Sequence, residues 1–389
     1  MPPAPLAFHT PVTADFIHGA VETEATADGL IVHRLPAWAR AQWADPPLAM
    51  AEWQPSGVRL LFETTATVIE LLTLPTKRAY AGMAPRPDGV YELFVDGVLA
   101  QHASATGGNT LAIDMVRGTS AVIAGEAQTL RFGALAAGLK RIEIWLPHDE
   151  ATALQALRAD ALLAPIAAFV GTGRPRWLHH GSSISQGSNA ARPSGIWPAV
   201  AARQAGFDLT NLGFSGSALL DPFIARSMRD LPADLISVKL GINLVNTDLM
   251  RARAFGPAVH GFLDTIRDGH PHTPLLVISP LYCPIHESTP GPTLFDTTAL
   301  ADGQLRFRAA GSVQESRQGK LTLQIVRAQL QAIVEQRAKT DPAIDYLDGL
   351  ALYGAADHAR LPLPDALHPD AASHRLIGER FGAWLAARS

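Results

Sequence analysis

The order of apolar and polar positions changes character once along the chain, near residue 165. Before that point, short stretches run apolar or alternate with a period of two. Gly57-Val58-Arg59-Leu60-Leu61-Phe62-Glu63 and Thr67-Val68-Ile69-Glu70-Leu71-Leu72 are rich in β-branched and large apolar residues. Gln128-Thr129-Leu130-Arg131-Phe132 and Arg141-Ile142-Glu143-Ile144-Trp145-Leu146 alternate as half-buried strands do. Between residues 91–95 and 98–100 stands Asp96-Gly97, whose tolerance of positive φ predicts a two-residue hairpin turn. Residues 151–164 have the Ala/Leu content of a helix, but their alternation, and their place after so many strands, favour another strand. An all-β, jelly-roll-like sandwich is expected over residues 1–165. Trp38, Trp43 and Trp53 lie in a stretch interrupted by Pro36, Pro46, Pro47 and Pro55, which reads as irregular. They suit a sugar-stacking platform, but their large burial area argues for the sandwich core.

From residue 166 to 389, strands alternate with helices, the mark of a parallel sheet covered on both faces. Strands are predicted at 176–181, 208–212, 234–240, 275–279 and 344–347. Helices are predicted at 195–205, 219–229, 252–268, 321–338 and 373–387. Residues 281–319 break the pattern with a long insertion rich in Pro, Gly and Thr, then charged. An insertion of this length serves as an active-site wall or as surface decoration, and the sequence favours neither.

Composition narrows the function classes. The 389 residues leave room for two domains, and 47% hydrophobic with 17% charged residues describes a globular chain, not a disordered one. A net charge of -4 without a Lys/Arg-rich run argues against nucleic acid or an anionic membrane as partner. Cys283 is the only cysteine, which excludes an intrachain disulfide and the usual Cys/His zinc frameworks. Met1-Pro2-Pro3-Ala4-Pro5 does not begin a secretory leader, and no apolar run of about 18 residues suggests a membrane span, so a cytoplasmic location is expected.

The candidate chemistry sits at strand ends. Gly181-Ser182-Ser183-Ile184 follows the first strand of the second half, Asn211-Leu212-Gly213-Phe214-Ser215-Gly216 the second, and Gly241-Ile242-Asn243 the third. Asp365-Ala366-Leu367-His368-Pro369 lies near the C-terminus. Acyl transfer needs a hydroxyl nucleophile, a base in contact with it, and an acid that fixes the base's tautomer. Ser183, His368 and Asp365 meet those needs, since an Asp three residues before a His can reach its Nδ1. The developing oxyanion needs donors, for which the backbone N–H groups of Ser183 and Gly216 and the Asn243 amide are candidates. Gly216 suits the task because no side chain shields its amide.

At these residues the chain resembles the SGNH (GDSL-type) hydrolases, whose four named residue types match Ser183, Gly216, Asn243 and His368 in order, with Asp-x-x-His intact. The resemblance covers residues 176–389 and implies a flavodoxin-like three-layer α/β/α domain. A preceding β-sandwich also resembles the layout of some two-domain carbohydrate esterases. Two positions depart from the family pattern: Ser182 replaces an acid, and Leu244 stands where Asp is common. They leave the subfamily open.

Rival motifs are incomplete. No G-x-S-x-G surrounds Ser183 or Ser215. Gly171-Thr172-Gly173 lacks the third glycine of a dinucleotide fingerprint, and Gly319-Lys320-Leu321 lacks the Ser/Thr of a P-loop. Pro290 stands where the second His of a zinc-protease motif beginning at His286-Glu287 belongs. His270 and His272 read as solvated loop residues, His179 and His180 as structural, and Cys283 as an unreactive thiol. The expectation is a serine esterase without metal or organic cofactor. Its partner is a small-molecule ester, a short acyl group (acetyl foremost) on a polar or carbohydrate-like alcohol. A generic carboxylesterase, lipase or thioesterase is the alternative, and a non-catalytic carbohydrate-binding protein the more distant one. Within the insertion, His286, Glu287, Asp302, Arg306, Arg308, Glu315 and Arg317 suit hydroxyl or carboxylate recognition better than an acyl-chain groove, while Leu294, Phe295, Leu305 and Phe307 can shape a small apolar pocket.

Overall fold

The computed structural model describes residues 6–114, 117–166, 173–301 and 304–388. The leader reading at Met1–Pro5, Gly171-Thr172, and Asp302 lie outside them. By contacts the chain divides into two units: residues 1–36, 52–174 and 192–194 form the first, and 37–51, 175–191 and 195–389 the second.

The first unit is β-rich and holds two sheets. One runs in the order Thr119–Ile123, Asn109–Asp114, Ile69–Tyr80, Ala151–Ala159, Gly29–His33, Glu22–Thr26. The other runs Leu163–Pro165, Arg59–Thr64, Lys140–Trp145, Val90–Val95, Val98–Ser104. Phe62, Leu93, Ile142 and Ile144 of the second sheet join Ile69, Leu71, Leu154 and Leu157 of the first in one buried apolar cluster. That clustering is the reason the alternating segments are strands at all: one face of each must leave water. The Asp96-Gly97 turn forms as the sequence predicts, with φ of 50° and 81° and Val95 paired to Val98. Residues 151–159 are a strand, not a helix.

The tryptophan stretch corrects the sequence reading. Residues 37–51 count with the second unit and contain a helix at Ala37–Gln42, with another at Pro46–Glu52. Pro46 opens the second helix, where its missing N–H costs nothing. Trp38 and Trp43 are 41% and 66% exposed, so neither fills a sandwich core. Trp38 instead lies under the Arg226 guanidinium, 5.1 Å from its ring centre. Where the chain leaves and re-enters the first unit, His33 Nδ1 and Arg34 N–H both meet the Glu52 carboxylate.

The second unit carries an all-parallel five-stranded sheet: β1 (Arg176–Gly181), β2 (Asp208–Gly213), β3 (Leu235–Lys239), β4 (Leu275–Ile278) and β5 (Ile344–Leu347). Its spatial order is β2-β1-β3-β4-β5. Every residue of β3 and β4 is buried, as expected for strands covered on both faces. Helices Trp197–Ala205, Pro222–Asp230, Ala252–Gly269, Leu323–Arg337 and Ala371–Ala386 alternate with them. Two of these helices start on side-chain caps: Thr322 accepts from Ile325 N–H, and Asp370 from Ser373 N–H. The strand order reverses at β1, whose neighbours β2 and β3 follow it on opposite sides. The crevice at a reversal point lies beyond the C-terminal strand ends, where ligands bind in open α/β sheets. Among the described residues, no helix is long and apolar enough to cross a membrane.

Candidate active site

β1 ends at Gly181, and the chain turns at once into a short helix, Ser183–Gln186. Ser182 caps it: its Oγ accepts from Ile184 N–H at 3.4 Å. The position that departs from the family pattern therefore holds the turn. Gly187 ends the helix in the left-handed region, with φ of 116°. Ser183 is thus presented on a first helical turn at the switch point, 5% exposed.

The loop between β5 and the last helix brings the partner groups. Ser183 Oγ lies 3.0 Å from His368 Nε2, and His368 Nδ1 lies 2.8 Å from Asp365 Oδ2. A carboxylate only accepts, so Nδ1 carries the ring hydrogen and Nε2 faces the serine as acceptor. The Asp365-to-His368 turn is held by Asp365 Oδ1, which accepts from Leu367 N–H at 2.9 Å and His368 N–H at 2.6 Å. Ala366 takes φ of 68° to make this fold-back possible. Burial alone would raise the Asp365 carboxyl. The hydrogen bond and charge of His368, with the two backbone donors, outweigh it and keep the group below its usual range.

Asn189 is a site residue the sequence reading missed. Its Nδ2 donates to Asp365 Oδ2 at 3.1 Å, so the carboxylate is fixed from the nucleophile's own loop. The available signal was Asn just past Gly187: the residue sits at φ of 64°, a region Asn tolerates. His374 was also missed. It is fully buried, accepts from Trp197 N–H at 3.3 Å, and meets Ser188 O at 2.9 Å, tying the same loop to two helices.

The donor side forms after β2 and β3. Gln186 Oε1 accepts from Ser215 N–H at 2.8 Å, which fixes the Gly216 turn against the nucleophile helix. Gly216 has φ of 73°, while an added Cβ would meet nothing within 4 Å. Glycine is needed there for backbone conformation, and the shielding argument drawn from the sequence is the lesser one. Asn243 is buried, and its Oδ1 accepts from Ala218 N–H at 3.1 Å. With the oxygen committed, the NH2 end of the amide is the end left to donate.

Several other residues fall into place as structure. His179 meets Ser185 Oγ at 2.8 Å and Ser237 Oγ at 2.7 Å, and burial holds its pKa well below the usual value. His180 contacts Leu212 O at 2.7 Å. Both are fully buried, as the structural reading expects. Burial pushes the Cys283 thiol up to about 12, consistent with an unreactive group. His270 is a correction: it is buried, not solvated, with Nε2 near Met228 O and Leu231 O at 3.0 Å each. The insertion corrects a second expectation. His286 is buried between Thr289 O and Thr293 Oγ1, and Glu287 pairs with Arg327 while accepting from Cys283 N–H. These two groups are held by bonds within the protein. Among the described residues, no cluster of three His, Cys, Asp or Glu side chains is placed to hold a metal ion.

With that geometry in hand, residues 176–284 match the GDSL-like lipase/acylhydrolase family. No curated protein sequence gives a significant match. Among solved structures, the chain is similar to salicylyl-acyltransferase SsfX3 from a tetracycline biosynthetic pathway, at 28% identity and a TM-score of 0.78 over 97% of this chain and 96% of that one. It is also similar to a protein named as a GDSL-like lipase from Bacteroides ovatus, at 18% identity and a TM-score of 0.67, covering 96% and 95% of the two chains. A family two carbohydrate esterase from Cellvibrio japonicus aligns at 12% identity and a TM-score of 0.56, over 98% and 97%. The last two likenesses speak to the fold, and both extend through the N-terminal β-rich region.

Proposed function

We propose that this chain, which carries the ester-hydrolysing GDSL-like lipase/acylhydrolase domain over residues 176–284, is a serine esterase acting through a covalent acyl-enzyme. The observation that carries the reading is the unbroken relay from Ser183 Oγ through His368 to Asp365, with steps of 3.0 and 2.8 Å. Ser183 Oγ attacks the ester carbonyl carbon while His368 Nε2 takes its proton. His368 returns that proton to the departing alcohol oxygen. Water then attacks the acyl-enzyme with His368 again as base, freeing the acid and Ser183. Asp365 keeps the proton on Nδ1 and stabilises the imidazolium formed in each step. The Ser183 and Gly216 N–H groups and the Asn243 amide receive the oxyanion.

The substrate in this reading is a short-chain ester, acetyl foremost, of a polar or carbohydrate-like alcohol. Layout supports it: the whole-chain likeness to a protein named as a carbohydrate esterase. A generic carboxylesterase, lipase or thioesterase is the competing assignment. The reading divides the chain into a β-sandwich domain, residues 1–165, and a hydrolase domain, residues 166–389. A second reading is transfer of the acyl group to an acceptor alcohol in place of water, favoured by the likeness to a salicylyl-acyltransferase. The same relay serves it, with His368 deprotonating the acceptor.

Ser183→Ala tests the chemistry. Hydrolysis of p-nitrophenyl acetate should fall by roughly 1,000-fold or more, to what the remaining donors and binding supply, and a fluorophosphonate probe should label the wild-type protein at Ser183 and the variant not at all. Near-full activity in a folded Ser183→Ala protein refutes the esterase mechanism.

A further inference from the structure

The insertion at residues 281–319 holds a small hairpin, Thr293–Phe295 against Phe307–Ala309. Phe295 and Phe307 are directly opposed across it, with rings stacked at 5.3 Å and 29°. The Phe307 ring then meets the His368 imidazole edge-on at 5.7 Å and 76°. An aromatic ladder therefore leads from the relay's base to the hairpin surface, where Phe295 is 38% exposed.

The hairpin is tied at both ends to the loops that carry the chemistry. Phe307 N–H donates to Asp365 O at 2.9 Å. At its root, Gly291 lies so close to the Asn243 helix that an added Cβ would stand 1.9 Å from Val245 O. Thr293 Oγ1 is bonded to the buried His286. The Phe307 ring thus holds a fixed position beside His368, with Phe295 stacked on it.

Neither ring has a hydrogen-bonding atom, so together they recognise a face, not a hydroxyl. His368 Nε2 is the atom that returns a proton to the departing alcohol in the proposed reaction, and Phe307 is a ring in contact with that imidazole. Packing alone would not require an aromatic residue at the outer, exposed position.

Building on the esterase reading, we infer that Phe295 and Phe307 form a stacking subsite for a flat ring in the alcohol portion of the ester. An aryl ring and the C–H face of a pyranose offer the same chemistry to such a wall. The site selects for a ring next to the scissile oxygen over an open chain.

The test compares kcat/KM for benzyl acetate and methyl 6-O-acetyl-glucopyranoside, each divided by that for n-butyl acetate, in wild type, Phe295→Ala, Phe295→Leu and Phe295→Tyr. Intrinsic reactivity cancels, because the same esters are compared in every protein. Phe295→Ala and Phe295→Leu should lower a ring-to-chain ratio by about 5-fold, the range of one aromatic stacking contact, while Phe295→Tyr keeps it. A drop confined to the benzyl ester identifies an aryl alcohol, and a drop confined to the sugar ester a pyranose. Unchanged ratios in Phe295→Ala, or full restoration by leucine, overturn the inference. Failure of the esterase reading looks different: wild type itself would hydrolyse none of the three.

Discussion

Two serine–histidine pairs share one four-residue helix, and the proposed reaction uses only one of them. Ser183 meets His368 at 3.0 Å, and Ser185 meets His179 at 2.8 Å, so the second contact is the shorter. What differs is the group on the other ring nitrogen. His368 Nδ1 faces the Asp365 carboxylate, which leaves Nε2 as an acceptor toward serine. His179 Nδ1 faces Ser237 Oγ, which already accepts from Trp177 Nε1, a group that can only donate. A hydroxyl has one donor and two acceptor lone pairs, so Ser237 can bond His179 Nδ1 in either sense and, unlike a carboxylate, does not hold the ring hydrogen there. His33 gives a third arrangement in the other unit, with Glu52 and Glu24 on its two nitrogens and no hydroxyl to activate. Distance alone therefore does not identify a catalytic pair. The partner of the far nitrogen does.

The strongest challenge to this contrast is Asp365→Asn. An amide at that place can donate to Nδ1 and no longer holds the ring hydrogen there, so turnover should fall by roughly 1,000- to 10,000-fold with the fold kept. A loss under 10-fold, measured as kcat on p-nitrophenyl acetate, would mean that Ser183 and His368 suffice without the acid.

Ser185→Ala probes the other side. It leaves His179 Nε2 without its hydroxyl in a fully buried site, at a cost of about 1–3 kcal/mol. The melting temperature should fall by several degrees while kcat stays within a few-fold. A loss of activity as deep as that of Ser183→Ala would erase the distinction.

Lys239 sharpens the comparison from below, because it shares a face of β3 with Ser237 and its charge helps keep His179 neutral. Burial, with Arg327's charge, lowers its pKa from 10.5 to about 8, against a smaller opposing influence from Cys283. The unfolded chain therefore holds more protons than the folded one between pH 8 and 10.5. Stability should rise with pH across that window, and the cost of charging the buried amine is fully present below it. Lys239→Met removes that cost, so at pH 7 it should stabilise the protein by up to roughly 3 kcal/mol. Chemical denaturation at pH 7 and pH 10 checks both signs, and a variant less stable than wild type at pH 7 would mean the ammonium has an unrecognised partner.

Strand ends carried most of what the sequence could reveal. Ser183, Gly216 and Asn243 each follow a predicted strand, and Asp-x-x-His has a geometry that spacing alone can suggest. The two-sheet pattern and the Asp96-Gly97 turn were legible for the same local reasons. Asn189 was not, because its role depends on a carboxylate 176 residues away. The tryptophans misled because burial area is a tendency of a residue type, whereas Trp38 sits on a short helix and Trp43 just after it, in a segment whose place in the second unit no local pattern announces. The insertion hid its hairpin behind Pro and Gly, so the sequence named Phe295 and Phe307 as apolar but not as a stacked pair. His286 and Glu287 looked like recognition groups because burial, which turns them into internal struts, is invisible in one dimension.

The hairpin's two attachments separate choice from chemistry. Its backbone is fastened near Gly291 and at Phe307, while among the described residues of the stretch between Leu294 and Arg306 none is bonded to Ser183 or Asp365. Changes there alter what is admitted beside His368 without shifting the groups that break the ester. An evolving lineage, or a library confined to that stretch, can thus explore new substrates while its catalytic rate machinery is inherited intact.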